Sequence, residues 1–484
     1  PVGRTRRSAG RAGAAASAGA RGGGPGTPVT MAAMTSLSPE KTLKNPSAVE
    51  RWFQISARGS SIGQELRGGM VTFFTMAYIL ALNPVVIGTA ADSRGNLVSG
   101  APKYTDAAAG IVDQAAVNHS MAMVAAATAL VAGVMTILMG VIAKQPFAMA
   151  AGLGVNALLA STIATTPGLT WADIMGLVII AGLIMTVLVL TGFRTAVFEA
   201  VPESLKTAIV AGIGFFIAFI GLVDSGIIRR MPDAAGTTVP VSLGVGGHLL
   251  GWPTLVFIFG LFLTIALFIR NVRGAILIGV VASTVLAIIL EAVFHIGSSK
   301  GNPTGWSLNV PALNNFSFSA PDFSLIGSAR FGAFGAIGVL GASLLVFAIL
   351  LSVFFDAMGV SVGLATEAGT IDKDGKVENI NEVLLVDAVG SVVGGGASGS
   401  ANQIFVESAT GIGEGARTGL ANIVTGVLFL VAIIASPLVT IVPFEAVAPA
   451  LVVVGFLMVR QAVHIDWQDW GLGIPAFMTI IFMP

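Results

Sequence analysis

The chain has 484 residues, 55% of them hydrophobic and only 10% charged, with 25 basic residues balanced by 25 acidic ones. A soluble domain carries about 25% charged residues, so a surface this poor in charge excludes a water-soluble fold, and a net charge of zero gives no pull towards nucleic acid or an acidic partner. The absence of cysteine excludes disulfides, thiolate metal sites and thiol nucleophiles, and the scattered His119, His248, His295 and His464 point away from a zinc site.

Residues 1–30 are rich in Arg, Gly and Ala and hold no acid. They read as a disordered tail, or as translated sequence ahead of a start at Met31 or Met34. After the tail, apolar runs alternate with short polar punctuation, near 69–90, 120–142, 146–164, 172–192, 207–224, 252–269, 274–295, 334–363, 383–398, 401–412, 418–435, 437–459 and 470–483. Most approach the roughly 20 residues needed to cross a bilayer. The 61 glycines fit membrane helices, where small residues let backbones approach closely. An integral, all-α, multi-pass membrane protein is the expectation, with its last segment or segments clipped or missing.

Orientation follows from Lys and Arg in the short loops. Arg51, Arg58 and Arg67 set the N-terminus inside the cell membrane. Lys144, Arg194 with Lys206, Arg270 with Arg273, Arg417 and Arg460 then fall on that same side. The loops 91–119, 225–251 and 296–333 fall on the other. The polar loop 366–382 falls inside, and its D-x-D-G stretch reads as a solvated turn, since it lacks the closing Glu of a calcium loop.

Two runs are unusual. "QPFAMAAGLGVNALLAS" (145–161) and "GGGASGSANQIFVESATGIGEG" (394–415) are short, Gly-rich and interrupted by polar side chains. Non-helical backbone at membrane depth is tolerated only where protein or a cavity covers it, and such segments at matching places in two halves point to a transporter binding site. They are the third and tenth runs. A spacing of seven makes the second repeat inverted. The fifth and twelfth runs, "EAVPESLKTAIVAGIGFFIAF" and "TIVPFEAVAPALVVVGFLMV", share a Val-Pro start, a nearby Glu and a Gly-aromatic centre. Seven plus seven predicts fourteen segments, one more than the chain displays.

A charge at the bilayer centre costs about 2.5–3.5 kcal/mol on insertion scales. Asp356 lies deep in the eighth run, Glu407 in the tenth and Asn156 in the third, just after "AGLG". If the third and tenth runs break at mid-membrane, all three meet there. Half-helix N-termini add partial positive charge and unpaired N–H groups. Such a site suits a small, polar, planar ligand. Each residue alone has a structural alternative: Asp356 bonded to a neighbouring helix, Glu407 capping the break, Asn156 satisfying a turn. Two buried acids without a basic partner are harder to explain structurally, and a carboxyl that gains and loses a proton is what proton coupling needs. Phe354, Phe355 and Phe405 flank the acids, available for stacking on a ligand or for packing. "GLG", "GIGEG" and "GGGASGS" are not nucleotide loops, since none opens a βαβ unit and no G-K-[ST] follows. No nucleophile–base constellation suggests an enzyme, and no cofactor is implied.

"TFFTMAYILALNP" (72–84), "AAGLGVNALLAS" (150–161), "FFDAMGV" (354–360), "VESATGIGEGARTGL" (406–420) and "VPFEAVAPALVVVGFLM" (442–458) resemble the nucleobase–cation symporters. The best match is the hypoxanthine–guanine–adenine permease branch of the xanthine/uracil permease superfamily, from about residue 50 to the C-terminus. The resemblance implies a seven-plus-seven inverted repeat with core and gate domains and short strands in segments three and ten. It divides the chain into a tail (1–48), core (49–200 and 331–436) and gate (201–330 and 437–484). It also implies a plasma-membrane importer of purine nucleobases that works by alternating access with a proton, or sodium, as the coupled cation, and that pairs through its gate. The implied substrate site is Glu407, Asp356, Asn156, Asn402 and Phe355, with Glu407 and Asp356 also coupling the proton. This chain departs from the branch pattern at Val353, Ala357, Val360, Gln403 and Ile404, where an acid and hydroxyls are usual. The same architecture serving xanthine, uracil or an anion, and a non-transporting receptor, are the alternatives.

Overall fold

The computed structural model describes residues 47–107, 111–192, 203–230, 241–299, 302–307, 310–311, 320–371 and 377–482. The tail up to residue 46, Arg194, the Val201-Pro202 pair and the D-x-D-G turn lie outside these residues. The short α1 (Ala48–Phe53) leads to α2 (Ile62–Met76) and α3 (Ile79–Gly88), which together form the first span. This span starts earlier than the apolar run suggests, because Ser61 caps α2, its hydroxyl accepting from the Gln64 N–H at 3.3 Å. A small hairpin, β1 (Tyr104–Asp106) and β2 (Ile111–Val112), precedes α4 (Gln114–Leu138). A π-helical turn, Met139–Ala143, extends α4, and Lys144 at φ +56° turns the chain into the first broken segment.

That segment is β3 (Met149–Ala151) followed by α5 (Leu153–Thr165); then come α6 (Trp171–Leu190), α7 (Glu203–Asp224), the hairpin β4 (Ile228–Arg230) and β5 (Val241–Leu243), α8 (Trp252–Ile269) and α9 (Ala275–Phe294). The second half opens with α10 (Ala333–Ala336) and the 31-residue α11 (Gly338–Ala368), which carries Asp356. It continues through α12 (Ile380–Gly396), β6 (Asn402–Ile404), α13 (Ser408–Gly413), α14 (Gly419–Ala432), α15 (Phe444–Val459) and α16 (Trp470–Phe482). Among the described residues seven helical stretches are long and apolar enough to cross a membrane, and four shorter apolar helices accompany them.

Strands β3 and β6 pair antiparallel, with Ala150 opposite Gln403 and Ala151 opposite Asn402. Neither broken segment satisfies its own backbone there, so other groups must. The Gly152 N–H donates to Ala401 O and the Phe405 N–H to Ala148 O, each at 2.9 Å. Thr136 Oγ1 donates to Met149 O (3.0 Å), and the Asn422 amide donates to Phe147 O (2.8 Å). The Ala148 N–H is taken by Ser408 Oγ at 2.9 Å. The polar residues that interrupt these apolar runs are the groups that make the breaks affordable.

The helices form two bundles. One holds α2 to α6 and α11 to α14; the other holds α7 to α9, α15 and α16. Across the halves, α6 packs on α12, α4 on α14, β3 on β6 and α7 on α15. Exchanging each segment for the one seven places away maps the first two contacts onto each other and the last two onto themselves. This is the pattern of a two-fold repeat, and with the two bundles it gives the all-α, core-and-gate architecture. The α7–α15 contact is tight at matching glycines. A Cβ on Gly214 would stand 2.7 Å from the Gly455 carbonyl oxygen, and one on Gly455 2.5 Å from that of Gly214.

The loops separate into two faces. On one, Arg58 donates to Lys144 O (2.8 Å) and pairs with Glu378 (2.8 Å), while Glu414 pairs with Arg67 (2.9 Å) and with Arg273. Glu65 is buried here, accepting from the backbone N–H groups of Arg417 (2.8 Å), Thr418 (3.3 Å) and Ala421 (3.2 Å) at the start of α14. On the other face His119 meets Asp322 at 3.4 Å and Arg229 donates to Pro303 O at 3.0 Å.

Candidate functional site

A cavity of about 470 Å³ lies between the two bundles, within the range of small-molecule sites. Its first wall is built by the interruptions in the helices. Tyr78 comes from the joint between α2 and α3, Gly152 to Gly154 from the start of α5, and Phe405 and Glu407 from the step between β6 and α13. Asp356 and Val360, one helical turn apart on α11, complete it. The second wall comes from α7 and α15, through Val210, Val454, Leu457 and Met458, and ends at Arg460 and Val463. One wall therefore carries acids and backbone N–H groups, and the other is apolar with one guanidinium.

Glu407 occupies the N-cap position of α13, yet its side chain makes no capping hydrogen bond. It accepts instead from the Tyr78 hydroxyl at 2.6 Å. This decides against the capping alternative: the carboxylate is aimed at the cavity and held by a residue at the joint of the first span. The start of α5 adds a different resource. Gly152 is its N-cap and has no side chain to occupy the first N–H groups, which a helix leaves without internal partners. A Cβ at Gly152 would collide with the Gln403 carboxamide, so glycine is what lets the start of α5 pack against β6.

The structure brings Asp356 and Glu407 to the same cavity and sets the other candidates behind it. Asn156 is fully buried on α5 and donates to Asn83 Oδ1 at 2.7 Å. Asn83 in turn donates to Thr128 Oγ1 (2.7 Å) and Gly399 O (3.1 Å), tying α5, α3, α4 and the approach to β6 together. Asn402 is buried in β6 opposite Ala151. Phe355 packs edge-on against Phe354, ring centroids 5.2 Å apart, and among the phenylalanines Phe405 is the one on the cavity wall, beside Tyr78. Of the departures from the branch pattern, Val353, Ala357 and Gln403 are buried in packing, while Val360 and Ile404 line the cavity.

Three residues escaped sequence reasoning. Tyr78 is hidden in an apolar run, where its phenol reads as a hydrophobe. Asp387 on α12 is fully buried and close enough to Asp356 for their charges to interact; the rule that singled out Asp356, a charge inside an apolar run, finds it equally well. Arg460 enters the sequence reading only as a loop charge.

Discontinuous helices meeting at a cavity between two bundles, in a chain with an internal two-fold repeat, define a membrane transporter of the inverted-repeat class. The chain belongs to the xanthine/uracil permease family, whose model, described as "Permease family", matches residues 63–484. It is 36% identical over 436 residues to the guanine/hypoxanthine permease PbuG of Bacillus subtilis (strain 168), covering 90% of this chain and 89% of that one. It is 31% identical over 441 residues to the adenine permease AdeQ of Escherichia coli (strain K12), covering 90% and 86%. Among solved structures, the transmembrane domain of the cyanobacterial bicarbonate transporter BicA aligns with a TM-score of 0.58 at 16% identity, over 87% of this chain and 96% of that one. The murine anion transporter Slc26a9 in its inward-facing state aligns with a TM-score of 0.54 at 10% identity, over 93% and 70%. These two share the fold.

Proposed function

We propose that this protein imports purine nucleobases across the plasma membrane by proton symport with alternating access. The observation that carries the reading is the cavity wall on which Asp356 and Glu407 stand beside the free N–H groups of α5. Carboxylates accept from the N–H edge of a nucleobase, and helix N-termini donate to its acceptors. Two acids on one small cavity repel each other, so a proton taken up by one favours filling the site with a neutral base. The names of the relatives support the substrate class. The fold shared with bicarbonate and anion transporters does not extend to the ligand, since two acids on the cavity wall oppose an anion.

In this mechanism Glu407 and Asp356 hold the base, and one of them carries the coupled proton. Asn156 and Asn402 act from behind, keeping α5 and β6 in register, and Phe405 offers its ring to the base. The core (49–200 and 331–436) moves against the gate (201–330 and 437–484), carrying the site between the two faces. The face holding Arg58, Lys144, Arg273 and Arg417 is the cytoplasmic one by the positive-inside rule, which puts the N-terminus in the cytoplasm. The outer faces of α8 and α9, where Phe262, Val281 and Ile289 are exposed, meet lipid and, in a pair formed through the gate, a second copy. The test is uptake of radiolabelled hypoxanthine, guanine and adenine into proteoliposomes, with and without an inward proton gradient. Glu407→Gln should abolish uptake while the protein still inserts. Gradient-driven uptake by that variant at the wild-type rate would reject the site, and competition by sulfate but not by purines would reject the substrate class.

A further inference from the structure

Arg460 is the one basic residue among the described residues that line the cavity. It stands where α15 ends, on the wall opposite the acids. Arg58, Arg67, Arg229, Arg273 and Arg417 are all held by ion pairs or carbonyl oxygens. The Arg460 side chain makes no hydrogen bond or ion pair with the described residues and is exposed. Its side chain lines the cavity beside Leu457 and Val463, and a long aliphatic stem lets a guanidinium extend from such an apolar wall towards a polar ligand.

The cavity is otherwise short of side-chain donors. The Tyr78 hydroxyl is committed to Glu407 at 2.6 Å, and whichever of Asp356 and Glu407 is ionised can only accept. Once an acid has taken the N1–H of a 6-oxopurine, the O6/N7 edge needs donors of its own. In a 6-oxopurine that edge is O6 and N7, two acceptors side by side, which a guanidinium fork meets with two parallel bonds. In a 6-aminopurine it is an N–H donor beside N7, and a guanidinium, which cannot accept, leaves that donor unmatched. A carboxamide offers one donor and one acceptor and fits the aminopurine edge instead.

We propose that Arg460 sets the preference among purines, reading the O6/N7 edge and selecting 6-oxopurines over 6-aminopurines. This rests on the nucleobase reading of the cavity. The experiment is reconstitution of the full chain and measurement of kcat/KM for hypoxanthine and for adenine, in the wild type, Arg460→Gln and Arg460→Lys. The wild type should favour hypoxanthine. Arg460→Gln should lower the hypoxanthine-to-adenine ratio about 5- to 150-fold, the discrimination of one bidentate pair, with adenine uptake rising. Arg460→Lys keeps the charge without the fork and should also lower the ratio. Equal loss for both purines, or a ratio kept by Lys, would overturn the proposal and leave Arg460 as a charge at a helix end. Transport of neither purine by the wild type would remove the nucleobase reading itself, and this proposal with it.

Discussion

Replacing Tyr78 by Phe deletes one hydroxyl, and the structure says what that hydroxyl does. It donates to Glu407 at 2.6 Å from a ring that is 1% exposed, fixing a carboxylate that its own helix does not hold. A hydrogen bond to a charged group contributes about 1.5–3 kcal/mol. At 1.4 kcal/mol per factor of ten, loss of that positioning lowers kcat/KM for purine uptake about 10- to 150-fold. A water in the cavity that takes the hydroxyl's place puts the effect near the lower end. The ring still packs between α2 and α3, so thermal stability should change by less than about 1 kcal/mol. Initial uptake rates in proteoliposomes, alongside thermal unfolding in detergent, separate the two quantities. Uptake within twofold of wild type would refute the claim that Tyr78 positions Glu407. An uptake loss matched by a large fall in unfolding temperature would move the role of Tyr78 from site to scaffold.

Gly214→Ala places a Cβ about 0.7 Å inside ordinary contact with the Gly455 carbonyl, an overpacking cost of about 1–3 kcal/mol that the better helix propensity of Ala, about 1 kcal/mol, offsets only partly. Gly455→Ala meets the same approach from the other side, so both variants should unfold at lower temperature. The double variant should be destabilised by less than the two together, because one separation of α7 from α15 relieves both contacts; full additivity would contradict the shared contact. The ion pair between Arg273 and Glu414 joins a proposed gate loop to the proposed core, and must part when the core moves. The chain contains no cysteine, so Arg273→Cys with Glu414→Cys gives a clean pair for a short bis-maleimide. Crosslinking should stop uptake that the uncrosslinked double variant retains, and undiminished uptake after crosslinking would show that this contact does not separate during transport.

The breaks in the third and tenth segments are legible because their cause is local. Gly-rich, polar-interrupted runs cannot be lipid-facing helices, and β3 and β6 form where those runs stand. Asp356 and Glu407 are legible for a related reason: a charge in an apolar run needs a purpose. What the sequence does not carry is direction. Asn156 and Glu407 both sit at the opening of a half-helix, yet one side chain turns inward to Asn83 and the other to Tyr78 and the cavity. Those choices depend on α3 and on the joint at Tyr78, both distant in sequence. The same applies along α11. Asp356 and Val360 are four residues apart and share the cavity face, while Ala357 is rotated by 100° into packing and Val353 lies beneath other helices. Apolar residues at 353 and 357 therefore remove no group from the cavity wall, and the departures that bear on the ligand are those at Val360 and Ile404. Arg460 shows the limit from the other side. A basic residue at the end of an apolar helix reads as a topological marker, and only the packing of α15 against the bundle carrying Asp356 and Glu407 puts that guanidinium and those acids on one cavity.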